Sequence, residues 1–146
     1  MRHLHAALLS LALTGALSAQ NHVCTVTAAG DGCAPLTVTL IPQGNGGAHD
    51  LSLHATGLHP RSAGAMVWGM NQLNVPIVPG SLCPLLTDYV WGHYFQTDPL
   101  GEVTISRSWP GWFNGYFYMQ MGSIRAQGGL VDVKTTDCKL AQCLVP

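Results

Sequence analysis

The aromatic residues are where this chain's types and spacing first suggest chemistry. Between two strand-like runs it reads Ser108-Trp109-Pro110-Gly111-Trp112-Phe113-Asn114-Gly115. Pro110, Gly111 and Gly115 interrupt strand pairing, so the stretch reads as a loop with Trp112 and Phe113 at its turn. An exposed indole offers a flat apolar face to a sugar ring, and Asn114 adds hydrogen-bonding groups beside it. Trp109, Trp112, Phe113 and Asn114 are therefore the candidate binding residues. The plainer alternative is that Trp112 folds back to cap the core, because large aromatic side chains are usually well buried. Trp68 and Trp91 fall inside strand-like runs and are assigned to the core.

Histidines raise the question of a metal. His49, His54 and His59 cluster in sequence. On an extended strand, at about 3.3 Å per residue, the outer two lie roughly 30 Å apart, so one ion cannot gather all three. They read as solvent-facing side chains. A sharper candidate is His22. If the mature chain starts Gln20-Asn21-His22, its amino group, two backbone amides and the imidazole make a square-planar nitrogen set for copper or nickel. Cyclisation of Gln20, or cleavage one residue earlier, removes that site. No other metal and no cofactor is implied.

Catalytic signatures are missing. There is no Gly-x-Ser-x-Gly elbow, no His-Glu-x-x-His and no Ser-x-x-Lys. A glycosidase needs two placed carboxylates. Glu102 is the sole glutamate, and aspartates such as Asp31 and Asp98 sit in turn-like contexts. The expectation is a non-enzymatic protein. The alternative from another class is a small secreted hydrolase whose site assembles only on folding.

The five cysteines are Cys24, Cys33, Cys83, Cys138 and Cys143. In an oxidising compartment most should pair. Spacing alone leaves the pairing open. Cys138 and Cys143 are near enough to close a small loop, and Cys24 and Cys33 could clamp a first hairpin. The odd thiol is either buried and inert or available for an intermolecular disulfide.

That compartment is indicated at the start of the chain. Residues 1–19 have a basic start, a short apolar run and a small-residue end, the pattern of a cleaved secretory signal peptide. The run is too short to span a bilayer, and no later segment is apolar enough to do so. A secreted or extracellular product is expected, with the periplasm or the cell surface as alternatives. Residues 20–146 then suffice for one domain. Only 9% of the chain is charged, against roughly 25% in typical soluble proteins. Arg61, Arg107, Arg125, Lys134 and Lys139 form no basic stripe, which argues against nucleic acid. Polysaccharide or cell-envelope components fit such a surface better.

The elements that must position these residues are short. Strands are predicted near 22–28, 36–41, 50–56, 65–70, 89–96, 102–108, 115–121 and 130–135. Leu51 and Leu53 alternate with Ser52 and His54, and Val103 and Ile105 with Thr104 and Ser106. That two-residue period marks half-buried strands. Tyr116, Phe117, Tyr118 and Met119 are apolar on both faces, as in a central strand. Asp98-Pro99-Leu100-Gly101 reads as a tight turn. About eight short strands with such frequent turns predict a single antiparallel β-sandwich, all-β in class.

Several segments also resemble a β domain common in secreted proteins of planctomycetes and other large-genome bacteria. They are Gly32-Cys33-Ala34-Pro35, Leu51-Ser52-Leu53-His54-Ala55-Thr56-Gly57-Leu58, the apolar strand ending at Gly69, Val78-Pro79-Gly80-Ser81-Leu82-Cys83-Pro84-Leu85, Thr97-Asp98-Pro99-Leu100-Gly101-Glu102-Val103, Ser108-Trp109-Pro110 and Gly115-Tyr116-Phe117-Tyr118-Met119-Gln120. The resemblance covers about 32–133. It implies a β-sandwich without assigned activity, and it adds Cys33–Cys83 as a bridge competing with Cys24–Cys33. The expected function is a structural, adhesive or envelope-associated module, with carbohydrate binding through the 109–114 loop as the alternative.

Overall fold

The computed structural model describes residues 23–43, 49–77, 82–109 and 114–144. These form eleven strands. In chain order they are β1 (Val23–Gly30), β2 (Leu36–Pro42), β3 (His49–Ala55), β4 (Ala63–Gly69), β5 (Gln72–Pro76), β6 (Pro84–Thr87), β7 (Trp91–Gln96), β8 (Val103–Trp109), β9 (Gly115–Gln127), β10 (Leu130–Thr135) and β11 (Cys138–Leu144). Among the described residues no helix is long and apolar enough to cross a membrane.

The chain is an all-β antiparallel sandwich. One sheet runs β1-β11-β9-β4-β7, with β10 also pairing β9, and the other runs β2-β3-β8. Alternation selects the side chains that meet between them. On β3, Leu51, Leu53 and Ala55 are buried while Ser52 and His54 point away. Across the interior, Met66 of β4 and Met119 and Met121 of β9 are fully buried. Burying each such side chain contributes about 1.5–3 kcal/mol relative to exposure. The central position expected for Tyr116 to Met119 holds, since β9 lies between β4 on one side and β11 and β10 on the other.

Three strands join those expected from sequence. β5 and β6 form a separate hairpin. Its prolines and short length hide the two-residue period. It is anchored by Gln120, whose side chain leaves the outer face of β9. Gln120 Oε1 accepts from Leu86 N at 2.9 Å, and Nε2 donates to the carbonyls of Pro84 and Thr136 at 3.0 and 2.8 Å.

β11 overturns one expected loop. Cys138 and Cys143 do not close a small ring. Both lie in an extended strand, where five residues span roughly 16 Å and the odd spacing turns them to opposite faces. Cys24 and Cys33 do not pair either, because Cys24 stands opposite Cys143 in the β1–β11 register. The bridges are Cys24–Cys143 and Cys33–Cys83. The first ties β1 to β11, and the second fastens the segment after β1 to the β5–β6 hairpin. Two intramolecular disulfides are compatible with an extracellular or periplasmic protein.

Candidate functional site

The sandwich has an open side. β7 is an edge of the larger sheet, and β8 is an edge of the smaller. The two strands are joined through a turn in which Asp98 Oδ1 accepts from the backbone N–H groups of Leu100 and Glu102, both at 2.8 Å. Gly101, at φ 79°, completes it. Away from that turn the strands belong to different sheets and leave a cleft between them.

Aromatic rings line this cleft. Trp68 comes from β4, Trp91 from β7, Trp109 from β8 and Phe117 from β9. Trp68 and Trp91 are cross-strand partners, so their rings share one face, with centroids 5.9 Å apart. Phe117 meets Trp68 edge-on at 4.5 Å and stacks on Trp109 at 3.8 Å. Such offset and edge-to-face pairs are favoured by the ring quadrupole. The cleft encloses about 280 Å³. That is at the lower edge of the roughly 300–1,000 Å³ usual for small-molecule sites, so it suits one ring or a short chain.

The expected binding residues separate here. Trp109 is not a loop platform. It ends β8, is 4% exposed and forms the floor of the cleft by stacking on Phe117. The two-residue period from Val103 through Ile105 carries it inward. Asn114 is exposed before β9. Trp112 and Phe113 lie outside the described residues, as does His22. Trp91, assigned to the core from sequence, is instead 53% exposed, because β7 is an edge strand and its inner side chains meet a neighbour on one side only.

Arg107, in sequence only one of five scattered basic residues, joins these rings. It follows Ile105 by two residues on the inner face, opposite the buried Leu51. It is the sole charged residue among the described ones lining the cleft. Its Nε is sealed from solvent without a hydrogen bond among the described residues, as is Trp68 Nε1. Ser108, next along the strand, points the other way and donates to Asp50 Oδ1 at 2.7 Å.

Neither a family model, nor a curated protein, nor a solved structure matches this chain.

The histidines do not converge. Among the described residues no group of three side chains could hold a metal ion. His54 alone fits the solvent-facing expectation, with Nδ1 3.0 Å from Thr104 Oγ1 on the outer face. His49 is buried against the first disulfide, its Nδ1 3.5 Å from Cys24 Sγ. His59 is also buried, with Nε2 3.4 Å from Asp132 Oδ2. Its turn packs onto β9, where Ser123 Oγ accepts from the His59 backbone N–H.

A polar depression includes His54, Asp98 and Glu102. The imidazole there touches a threonine hydroxyl, but among the described residues no carboxylate orients its other nitrogen. Asp98 is taken up by its turn. Asp88 is likewise structural: hydrogen bonds from Asn71 and Met70 hold its carboxyl below the usual range.

Proposed function

We propose that this is a secreted, non-enzymatic binding module of the envelope or extracellular matrix, and that the inter-sheet cleft is its site. The observation that carries this reading is the cleft itself: four aromatic side chains from four strands face one opening between two edge strands. Interior rings normally fill their own space. Here Trp91 keeps half its surface open and borders a volume sized for one ring. The start of the chain, the two disulfides and the low charge support an extracellular setting. The resemblance to secreted β domains without assigned activity supports a binding or structural role over catalysis.

A second reading, carbohydrate binding, draws support from the exposed half of Trp91, a flat apolar face at the rim. Sugar hydroxyls pressed deeper would meet few acceptors, and each unpaired one costs about 1–3 kcal/mol. The sugar reading therefore concerns the rim alone.

Intrinsic tryptophan fluorescence separates these readings. Small aromatic acids and amides, short-chain acids and soluble oligosaccharides would be titrated into the wild type and Trp91→Ala. The substitution removes an exposed edge residue, so the fold should persist by circular dichroism. A saturable change with a small apolar ligand, weakened about tenfold in Trp91→Ala, is the expected result. Saturation by oligosaccharides alone favours the rim reading. No saturation by any class contradicts the cleft as a site.

A further inference from the structure

We infer that the cleft takes an aryl carboxylate, its ring between the aromatic walls and its oxygens read by the Arg107 guanidinium; this rests on the cleft being the binding site. The polar groups in the walls are unusually one-sided. The Arg107 guanidinium only donates hydrogen bonds, and so does the Trp68 indole. Arg107 Nε and Trp68 Nε1 are closed to solvent and unbonded among the described residues, whereas the terminal nitrogens of the half-buried guanidinium are not among the sealed atoms and are the donors a ligand can reach. The indoles of Trp91 and Trp109 are likewise donor-only, and Ser108 is committed to Asp50. No aspartate or glutamate is among the described lining residues.

Charge adds to this. The ion pairs among the described residues are His59–Asp132, Arg125–Asp132 and Lys139–Asp137, and none involves Arg107. Arg107 is half-buried, so its charge is only partly desolvated, and an anion in the cleft would complete it. Nothing in the packing demands arginine there, since Ile105 and Trp109 fill the neighbouring inner positions of β8 with apolar side chains. A planar carboxylate matches the guanidinium fork with two parallel hydrogen bonds. A neutral sugar would bring hydroxyl protons that these donor-only side chains cannot accept.

The body of the ligand follows from the walls. Trp68, Trp91 and Phe117 lie 4.5–5.9 Å apart in tilted and edge-on arrangements. Those faces and edges favour another aromatic ring over an alkyl chain of equal size. The volume admits one ring with a short acidic arm.

Phenylacetate tests this against phenylacetamide, its neutral counterpart, and hexanoate, its alkyl counterpart. Each would be titrated calorimetrically into the wild type, Arg107→Gln and Arg107→Lys near neutral pH, with thermal melts as a fold control. The wild type should bind phenylacetate about tenfold more tightly than the amide, the scale of a charge-assisted hydrogen bond. Arg107→Gln should erase that preference and leave amide binding in place. Arg107→Lys should keep part of it, having the charge without the fork. Equal binding of acid and amide by the wild type overturns the inference while leaving the cleft as a site. So does a preference that survives Arg107→Gln. Hexanoate binding as tightly as phenylacetate overturns the aromatic body. If none of the three binds and Trp91→Ala alters no ligand of the wider panel, the cleft reading itself fails.

Discussion

Val103, Ile105, Arg107 and Trp109 follow one another at the two-residue interval of a strand. One inner face thus carries aliphatic, cationic and aromatic side chains in succession. The sequence shows that interval plainly, and continuing it past Ile105 would have placed both Arg107 and Trp109 indoors. Pro110 and Gly111 drew Trp109 into a loop instead, one residue too early. Cys138 resolves the question of the odd thiol. It is fully buried, and burial pushes its thiol up to about 11, so it stays protonated and inaccessible in the folded domain. An intermolecular disulfide through it requires local opening. His59 gives the fold a pH dependence. Burial lowers its pKa from 6.5, opposed by the Asp132 carboxylate and reinforced by Arg125 and Lys134. The unfolded chain therefore holds this proton more tightly than the folded one. The stability contributed is complete above about pH 6.5 and is lost as the pH falls through the folded value. Urea midpoints from about pH 5 to about pH 8 should drop on the acid side, and His59→Gln should flatten that limb. An unchanged acid limb in the variant would assign the dependence to other groups.

At the scale of elements, legibility followed periodicity. β2, β3, β8 and β10 were readable because apolar and polar side chains alternate or cluster there between turn residues. The Asp98 turn was readable because aspartate caps its own turn and Gly101 adopts a conformation other residues resist. β9 runs six residues past its expected end, to Gln127. Gly122, Ser123 and Arg125 disguised the extension. Gly128 and Gly129, both at positive φ, mark the true hairpin, and that pair was a usable signal. β5 and β6 were illegible for a different reason: side-chain and disulfide anchors hold them. Gln120→Leu should expose this dependence. It leaves Leu86 N–H and the Thr136 carbonyl without the Gln120 partner in a buried setting, at a cost of about 2–4 kcal/mol, while the Pro84 carbonyl keeps the Thr135 hydroxyl at 2.8 Å. Amide hydrogen exchange should then speed up across β5 and β6 while β3 and β9 stay protected. Uniform acceleration through the sandwich would mean that Gln120 supports the whole core rather than the hairpin.

At the scale of the whole molecule, the two sheets leave an opening on the β7–β8 side. At the far edge of the larger sheet the Cys24–Cys143 bridge ties β1 to β11 within that sheet. A link between residues 119 apart in sequence restrains the unfolded chain by about 2–5 kcal/mol. Near β7 and β8 no pairing among the described residues joins the sheets, and the aromatic walls open to solvent there. The cleft was not legible from sequence because its walls come from four strands separated by up to some fifty positions, and only the sheet order brings them together. The central claim is that ligands enter this opening. Its most direct test is a two-dimensional NMR titration of the isotope-labelled protein with phenylacetate, following indole and arginine side-chain N–H signals. The account predicts saturable shifts at the Arg107 side-chain N–H and Trp91 Nε1–H signals, with contacts from the ligand ring to Trp91 and Phe117. Shifts confined to the outer faces, or none at all, would contradict it.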